Sequence, residues 1–334
     1  MKKAMLLIIF MAAGGILFAQ QADSLQKLAR MQMQQAKFEQ ANQTLTRALQ
    51  QKPNDLDLLK DQNFAYYLAR DYVNSLQTGK ALTERPDADE QCFQLLGLTY
   101  KALAEYKEGD KMYKAAIKKF PKSGVIYSEY GDLLSLNNQP DAAIDIWEKG
   151  IMADVNHNNN YYYAAKFYAA NGNLFRCVMY AEIFVNIESF TPRTIEIKNI
   201  LFEAYKKLLT SNNLANINSK STGFTKAVTN ILVQNNSTFP DTPSIENMTD
   251  VRAKFIAAWY STDNAKQYPY RLFVLHRQLI ENKSFDAYNQ WLFGPVADND
   301  KYEKWVKKHA SEMQQWLVML HSIVFKIPDG QYYE

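Results

Sequence analysis

The sequence predicts an all-α protein: a run of helical hairpins followed by a helical C-terminal region. Three observations carry that expectation. Small residues recur every 34 positions along the first half of the chain. Prolines close successive segments at Pro53, Pro86 and Pro121, with Pro86 one residue out of register. Glycine is sparse (12 of 334 residues) while tyrosine and phenylalanine number 21 and 18, which suits helices packed through aromatic contacts.

At 47% hydrophobic and 22% charged residues, the chain can build a core and does not read as disordered. Its length suits one or two domains. A net charge of +3 is small, and no run of Lys and Arg appears, so no nucleic-acid partner is expected.

In chain order, residues 1–19 read as a signal peptide. Lys2 and Lys3 give a positive start, Ala4 to Phe18 are apolar and uncharged, and Ala19-Gln20 is a cleavage point, although Leu17 is larger than usual there. A retained anchor is the alternative, but the stretch is shorter than the roughly 20 residues that span a bilayer. No cysteine follows to carry a lipid, and no later segment is apolar enough to span, so no integral membrane segment is expected after cleavage. The expected location is periplasmic or secreted. In an exported chain the two cysteines invite a disulfide. Cys92 and Cys177 stand 85 residues apart, on different hairpins of the repeat, too far for a bridge, and are expected to be buried free thiols.

The repeats occupy residues 22–190, about five units. The stretch Gly97 to Pro121, GLTYKALAEYKEGDKMYKAAIKKFP, is one helix, a tight turn and a second helix. Its apolar sides need neighbouring units to cover them. One small-residue series is Ala29, Asn63, Gly97, Gly131 and Ala165; a second is Ala41, Ser75, Gly109, Ala143 and Cys177; a third is Ala48, Leu82, Ala116, Gly150 and Phe184. Small residues on facing helices let backbones approach closely, and larger ones would overpack at about 1–3 kcal/mol.

This pattern resembles the tetratricopeptide repeat, or TPR. The unit from Glu90 carries Phe93, Leu96, Gly97, Tyr100, Gly109, Tyr113, Ala116 and Pro121 at its signature positions. The unit from Gly124 carries Tyr127, Tyr130, Gly131, Leu134, Ala143, Trp147 and Gly150, with Val155 in place of proline. The unit from Ala22 matches through Leu25, Leu28, Ala29, Ala41, Leu45, Ala48 and Pro53, and those near residues 56 and 158 are degenerate. The resemblance covers about half the chain and implies an α-α superhelix, a TPR solenoid.

After the repeats, residues 191–210 hold an amphipathic helix, a candidate cap for the array's open end. Residues 211–334 read as an all-α C-terminal region. Within it, SNNLANINSKSTG is expected to be a loop, FTKAVTNILVQ a short helix, and QNNSTFPDTPSIEN a second break. Helices are expected over Thr249–Tyr260, Tyr270–Asn282 and one long stretch around Asp300–Lys326, and a further helix is expected to stop at Gly294-Pro295. The segments YNQWLFGPV and EKWVKKH are similar to the C-terminal regions of uncharacterised exported TPR proteins of Bacteroidota, a resemblance that implies no activity.

Chemistry-bearing patterns are scarce. The histidines His157, His276, His309 and His321 form no H-E-x-x-H pair, and His309 with Glu312 makes only two ligands. His276 beside Arg277 reads as a helix-surface or core-edge pair. Glu281, Asp286 and Asp298 read as separate acids. No phosphate loop, dinucleotide fingerprint or nucleophile elbow is present. No catalytic residue, metal or cofactor is expected, and the chain reads as a non-enzyme.

The TPR resemblance implies a concave face, lined by the first helix of each unit, that holds a partner peptide. Carried onto this chain, it places Arg30, Lys60, Phe64, Tyr67, Leu98, Lys101, Asp132, Tyr162 and Lys166 in that groove, a mixed basic and aromatic floor suited to an extended segment with acidic and apolar side chains. Gln26 and Arg30 break the carboxylate-clamp pattern of chaperone-tail binders. The expected function is an exported interaction scaffold with a protein or peptide partner. The alternatives are an enzyme or modifying factor with its site in 211–334, or a structural subunit of an envelope assembly.

Overall fold

The computed structural model describes residues 20–235, 243–322 and 324–333. The expected signal segment, and residues 236–242 of the two-proline break, lie outside the described residues. The described residues are helices joined by turns, with a non-helical stretch over 324–333 and no strand among them, the all-α fold that the sequence predicts. The chain divides into two compact units, one ending at Ala143 and one beginning at Ile144.

The first unit holds α1 (20–34), α2 (Phe38–Gln51), α3 (Leu56–Leu68), α4 (Tyr72–Thr83), α5 (Glu90–Ala102), α6 (Tyr106–Lys119), α7 (Gly124–Leu136) and the start of α8 (Pro140–Ala153). The helix starts are written locally. Asp55, Asp71, Asp89 and Ser123 each accept a backbone N–H from the first turn of α3, α4, α5 and α7.

The turns inside the hairpins share a signature that the residue types hide. Ala36, Arg70, Ala104 and Asn138 all have positive φ, between 54° and 59°, at intervals of 34, and Gly172 continues the series in the second unit at 74°. At Ala104 the left-handed residue's N–H reaches the Lys101 carbonyl (3.2 Å) and the next N–H reaches that of Tyr100 (2.9 Å). That pair of bonds closes a helix C-terminus and offsets the strain of a side chain in this region. Glycine is absent from four of the five positions, so a search for turn glycines misses the register.

The small-residue series have the predicted packing role. A methyl group on Gly97 would overlap the Tyr113 hydroxyl, and one on Gly109 would overlap the end of Leu133. Asn63, a larger residue in a small position, is fully buried and donates to the Ser75 carbonyl (2.6 Å) and Thr78 Oγ1 (2.7 Å), which secures α3 to α4. Cys92 and Cys177 are both buried and free.

The second unit continues α8 and adds α9 (Asn158–Ala170), α10 (Leu174–Ile187), α11 (Pro192–Leu208), α12 (Ser211–Lys220), α13 (Gly223–Asn235), α14 (Ile245–Tyr260), α15 (Asn264–Gln267), α16 (Arg271–Glu281), α17 (Phe285–Ala297), α18 (Asn299–Lys308) and α19 (Ala310–Ser322). Gly150 receives the Asn160 side chain where a Cβ would stand. The helix α11 packs against both α10 and α17. The α16–α17 hairpin turns at Lys283, again with positive φ (56°) and the same two backbone bonds.

Three local expectations for this unit are corrected. The expected loop at SNNLANINSKSTG is largely α12, because Leu214 is buried and the helix packs on α13. The long helix around Asp300–Lys326 is two helices broken at His309, where ψ swings to 37°. The helix expected to end at Gly294-Pro295 runs on to Ala297. Proline cannot donate to the Trp291 carbonyl, four residues back. That carbonyl instead accepts from Lys198 Nζ of α11 (2.8 Å), whose ammonium also lies 3.5 Å from the Trp291 ring centre. Tyr302 of α18 packs over the bare face of Gly294.

The core of this unit is centred on a buried charge. Glu182 of α10 is fully buried, and its carboxylate accepts from Tyr288 Oη (2.7 Å), His276 Nε2 (2.8 Å), Tyr205 Oη (2.8 Å) and the Arg252 guanidinium. Arg252 also donates to Asn289, and Tyr288 Oη accepts from Asn186 (2.9 Å). His276 is therefore a core residue and not the surface or core-edge residue expected from its neighbour Arg277. Burial opposes the Glu182 charge, but Arg252, His276 and the hydroxyls outweigh it and hold its carboxyl at about 2. Burial, with Arg252 adding to it, holds His276 below its usual range despite Glu182.

Candidate functional site

The residues expected in the groove sit, within the first unit, on the first helices of successive hairpins, α1, α3, α5 and α7, as the period requires. Lys60, Phe64 and Tyr67 fall along one stripe of α3, and the rings of Phe64 and Tyr67 lie parallel with centres 6.3 Å apart. Both rings are half-buried, as is Leu98 on α5.

The cations are not open. Arg30 Nε meets Asp61 Oδ2 at 2.7 Å, and Gln26 donates to the same oxygen at 2.8 Å. Lys60 Nζ lies 2.7 Å from Asp89 and 2.9 Å from Asp57. Lys101 Nζ lies 2.8 Å from Glu129 and 2.6 Å from Asp132, and Gln94 also donates to Glu129 (3.1 Å). In each case the side chain of one hairpin reaches an acid of the next, 28 to 35 residues on, with Asp57 the one partner on the same helix. Burial works against the charge of Lys101, but Glu129 and Asp132 more than offset it and raise its pKa. Lys60 is raised in the same way, against burial, by Asp89 and Asp57. The face is a ladder of paired charges with the Phe64–Tyr67 stack and Leu98 beside it.

In the second unit, Tyr162 and Lys166 are brought together with Glu196 of α11. Tyr162 is 9% exposed, donates its hydroxyl to Glu196 (2.6 Å) and accepts from Lys166 (3.1 Å). Lys166 Nζ also meets Glu196 Oε1 at 2.6 Å. Arg193 covers the Tyr162 ring at 4.9 Å. The bond from Lys166 and then that from Tyr162 hold the Glu196 carboxyl below its usual range.

The sequence reading named the cations and missed their acids, Asp61, Asp89, Glu129 and Glu196. The signal was present: each acid follows a cation by 28 to 31 residues, about one to two helical turns short of a repeat. A search for exposed groove residues counts cations singly and does not look for their partners one unit away.

A cleft of about 830 Å³ lies in the second unit, walled by α14, α17, α18 and α19. It brings Asp286 together with Glu312 and His309, which the sequence reading had weighed separately. His309 Nδ1 lies 3.0 Å from Glu312, and its ring stacks on Trp305 at 4.4 Å and 11°. Withdrawal from water, then Glu312, and more weakly Glu246, raise the Asp286 carboxyl above its usual range, with His309 opposing them. Among the described residues, no group of three or more His, Cys, Asp or Glu is placed to hold a metal ion, and no helix is long and apolar enough to cross a membrane.

No protein-family model matches the chain, and no curated protein matches it. Among solved structures it is similar to a thermophilic TPR protein of Thermus thermophilus, at 15% identity over 55% of this chain and 98% of that chain, with a TM-score of 0.44.

Proposed function

We propose that this chain is an exported interaction scaffold, and that the first-helix face of its first unit takes an extended segment of a partner protein. The observation that carries the reading is the ladder itself. First helices set at the repeat spacing present a regular row of hydrogen-bonding groups beside half-exposed aromatic and apolar side chains.

The pairing changes which side chains supply affinity. An acidic partner side chain must displace or share an ion pair already made, which returns little net energy. Anchoring therefore falls to Phe64, Tyr67 and Leu98, and the ladder orients the partner's backbone and polar groups. Export rests on the charged and apolar N-terminal residues alone, and places the partner in the envelope or outside the cell.

The test is a pull-down from native envelope with two triple variants, Phe64→Ala/Tyr67→Ala/Leu98→Ala and Arg30→Ala/Lys60→Ala/Lys101→Ala, each checked for unchanged helicity. The apolar triple should lose the partner set, and the cationic triple should weaken it less. An unchanged partner set in both variants overturns the reading. N-terminal sequencing of the mature protein tests export, with Gln20 expected first.

A further inference from the structure

The cleft of the second unit has the chemistry of a binding site that the scaffold reading does not use. Its volume of about 830 Å³ is that of a ligand pocket and not of a packing defect. Four carboxylates line it, Glu246, Asp250, Asp286 and Glu312, with Lys283 the one lysine of the lining; Asp250 is already paired with Lys254 (2.6 Å), and Glu312 meets His309 (3.0 Å). Neighbouring carboxylates repel one another, and the crowding is relieved when a cation enters.

A second observation is independent of the charges. Gln290 of α17 is 4% exposed and lines the cleft wall, and among the described residues its side-chain amide makes no hydrogen bond. The amide is not sealed from water; it sits in the cleft wall, where its oxygen can accept from a guest. The third wall element is Trp305, whose indole is fixed flat by the His309 ring, and His309 is itself held by Glu312. A flat indole beside carboxylates favours a planar cation over a compact one.

We infer that this cleft binds the guanidinium of an arginine side chain presented by a partner protein. The guanidinium would stack on Trp305 and donate to Asp286, Glu312 and the Gln290 carbonyl oxygen. A planar group with five donors is the common cation that meets a carboxylate pair, an amide oxygen and an aromatic face together. The site lies wholly within the second unit, so it stands or falls apart from the ladder of the first.

The test titrates the full chain at low salt with acetyl-Gly-Arg-Gly-amide, following the Trp305 indole N–H resonance, assigned with Trp305→Phe. Saturable binding is expected, with no binding of the citrulline peptide, which has the same shape without the charge. Asp286→Asn and Glu312→Gln should each weaken arginine binding about tenfold, the scale of one charge-assisted hydrogen bond. Asp286 is exposed, so its variant should fold. A lysine peptide should bind more weakly than arginine. The inference is overturned if the citrulline peptide binds as well as arginine, if lysine binds equally, if Asp286→Asn leaves affinity unchanged, or if no arginine peptide binds.

Discussion

The second unit repeats the first unit's kind of ion pair at Lys166 and Glu196 and adds a buried charge cluster that the first does not show among the described residues. In the first, the ion pairs lie on the helix surfaces between neighbouring hairpins. Arg30 to Asp61 and Lys101 to Asp132 each join residues 31 apart. In the second, the central carboxylate is buried among side chains from α10, α11, α14, α16 and α17, with partners up to 106 residues away. The difference teaches how each unit is specified. A repeat needs only its neighbour, so its pairs are local, ranging from half-exposed and weak at Arg30 to largely buried at Lys101 and Glu129. A non-repeating helical assembly needs long-range markers, and a buried charge that must find all its partners is a strong one.

The largest expected effect comes from breaking the buried cluster. Arg252→Ala leaves Glu182 buried with its charge uncompensated and should cost about 3–5 kcal/mol of unfolding free energy by urea denaturation. Arg252→Met combined with Glu182→Gln should recover part of that loss, because the uncompensated charge is gone. If Arg252→Ala costs no more than a surface pair, the contrast between the units is wrong.

Lys198 sharpens the same comparison through pH. Its ammonium is buried without a carboxylate, and desolvation lowers its pKa from the usual 10.5 to about 7. Between these values the unfolded chain binds a proton that the folded chain does not. Stability should therefore rise with pH across that window, by at most about 1.4 kcal/mol per unit for one proton. Lys198→Met removes this contribution, so the difference in stability between wild type and variant should climb from pH 7 to 10. A flat difference would mean that Lys198 keeps its proton in the fold.

The smallest effect belongs to the ladder. Arg30 is half-exposed, with 53% of its side-chain surface in water. Arg30→Ala should shift unfolding by about 0.2–1 kcal/mol, less at high salt. A loss near that of Arg252→Ala would show that the ladder is structural, and would weaken its reading as a binding face.

Several features were legible before any coordinates. Gly97, Gly109 and Gly150 were readable as packing residues because they fall in small-residue series of 34-residue period; the larger side chains they face, Tyr113, Leu133 and Asn160, were not. The left-handed turns were not legible, since alanine and arginine do not announce positive φ. The helix through Pro295 was hidden because the lysine that donates to the carbonyl orphaned by proline lies 93 residues away from Trp291. Of the candidate surfaces, the cations and aromatics could be named singly. Their acid partners, and the meeting of Asp286, Gln290, Trp305 and Glu312 at one cleft, could not.

By itself the sequence determined the all-α class, the hairpin repeat and its period, because helix starts, proline stops and small-residue spacing are local rules read within one or two turns. Only the tertiary structure decided which charges are neutralised, which are buried, and where a cleft opens. Those outcomes depend on side chains that meet across tens of residues, where no local rule selects among the possible partners.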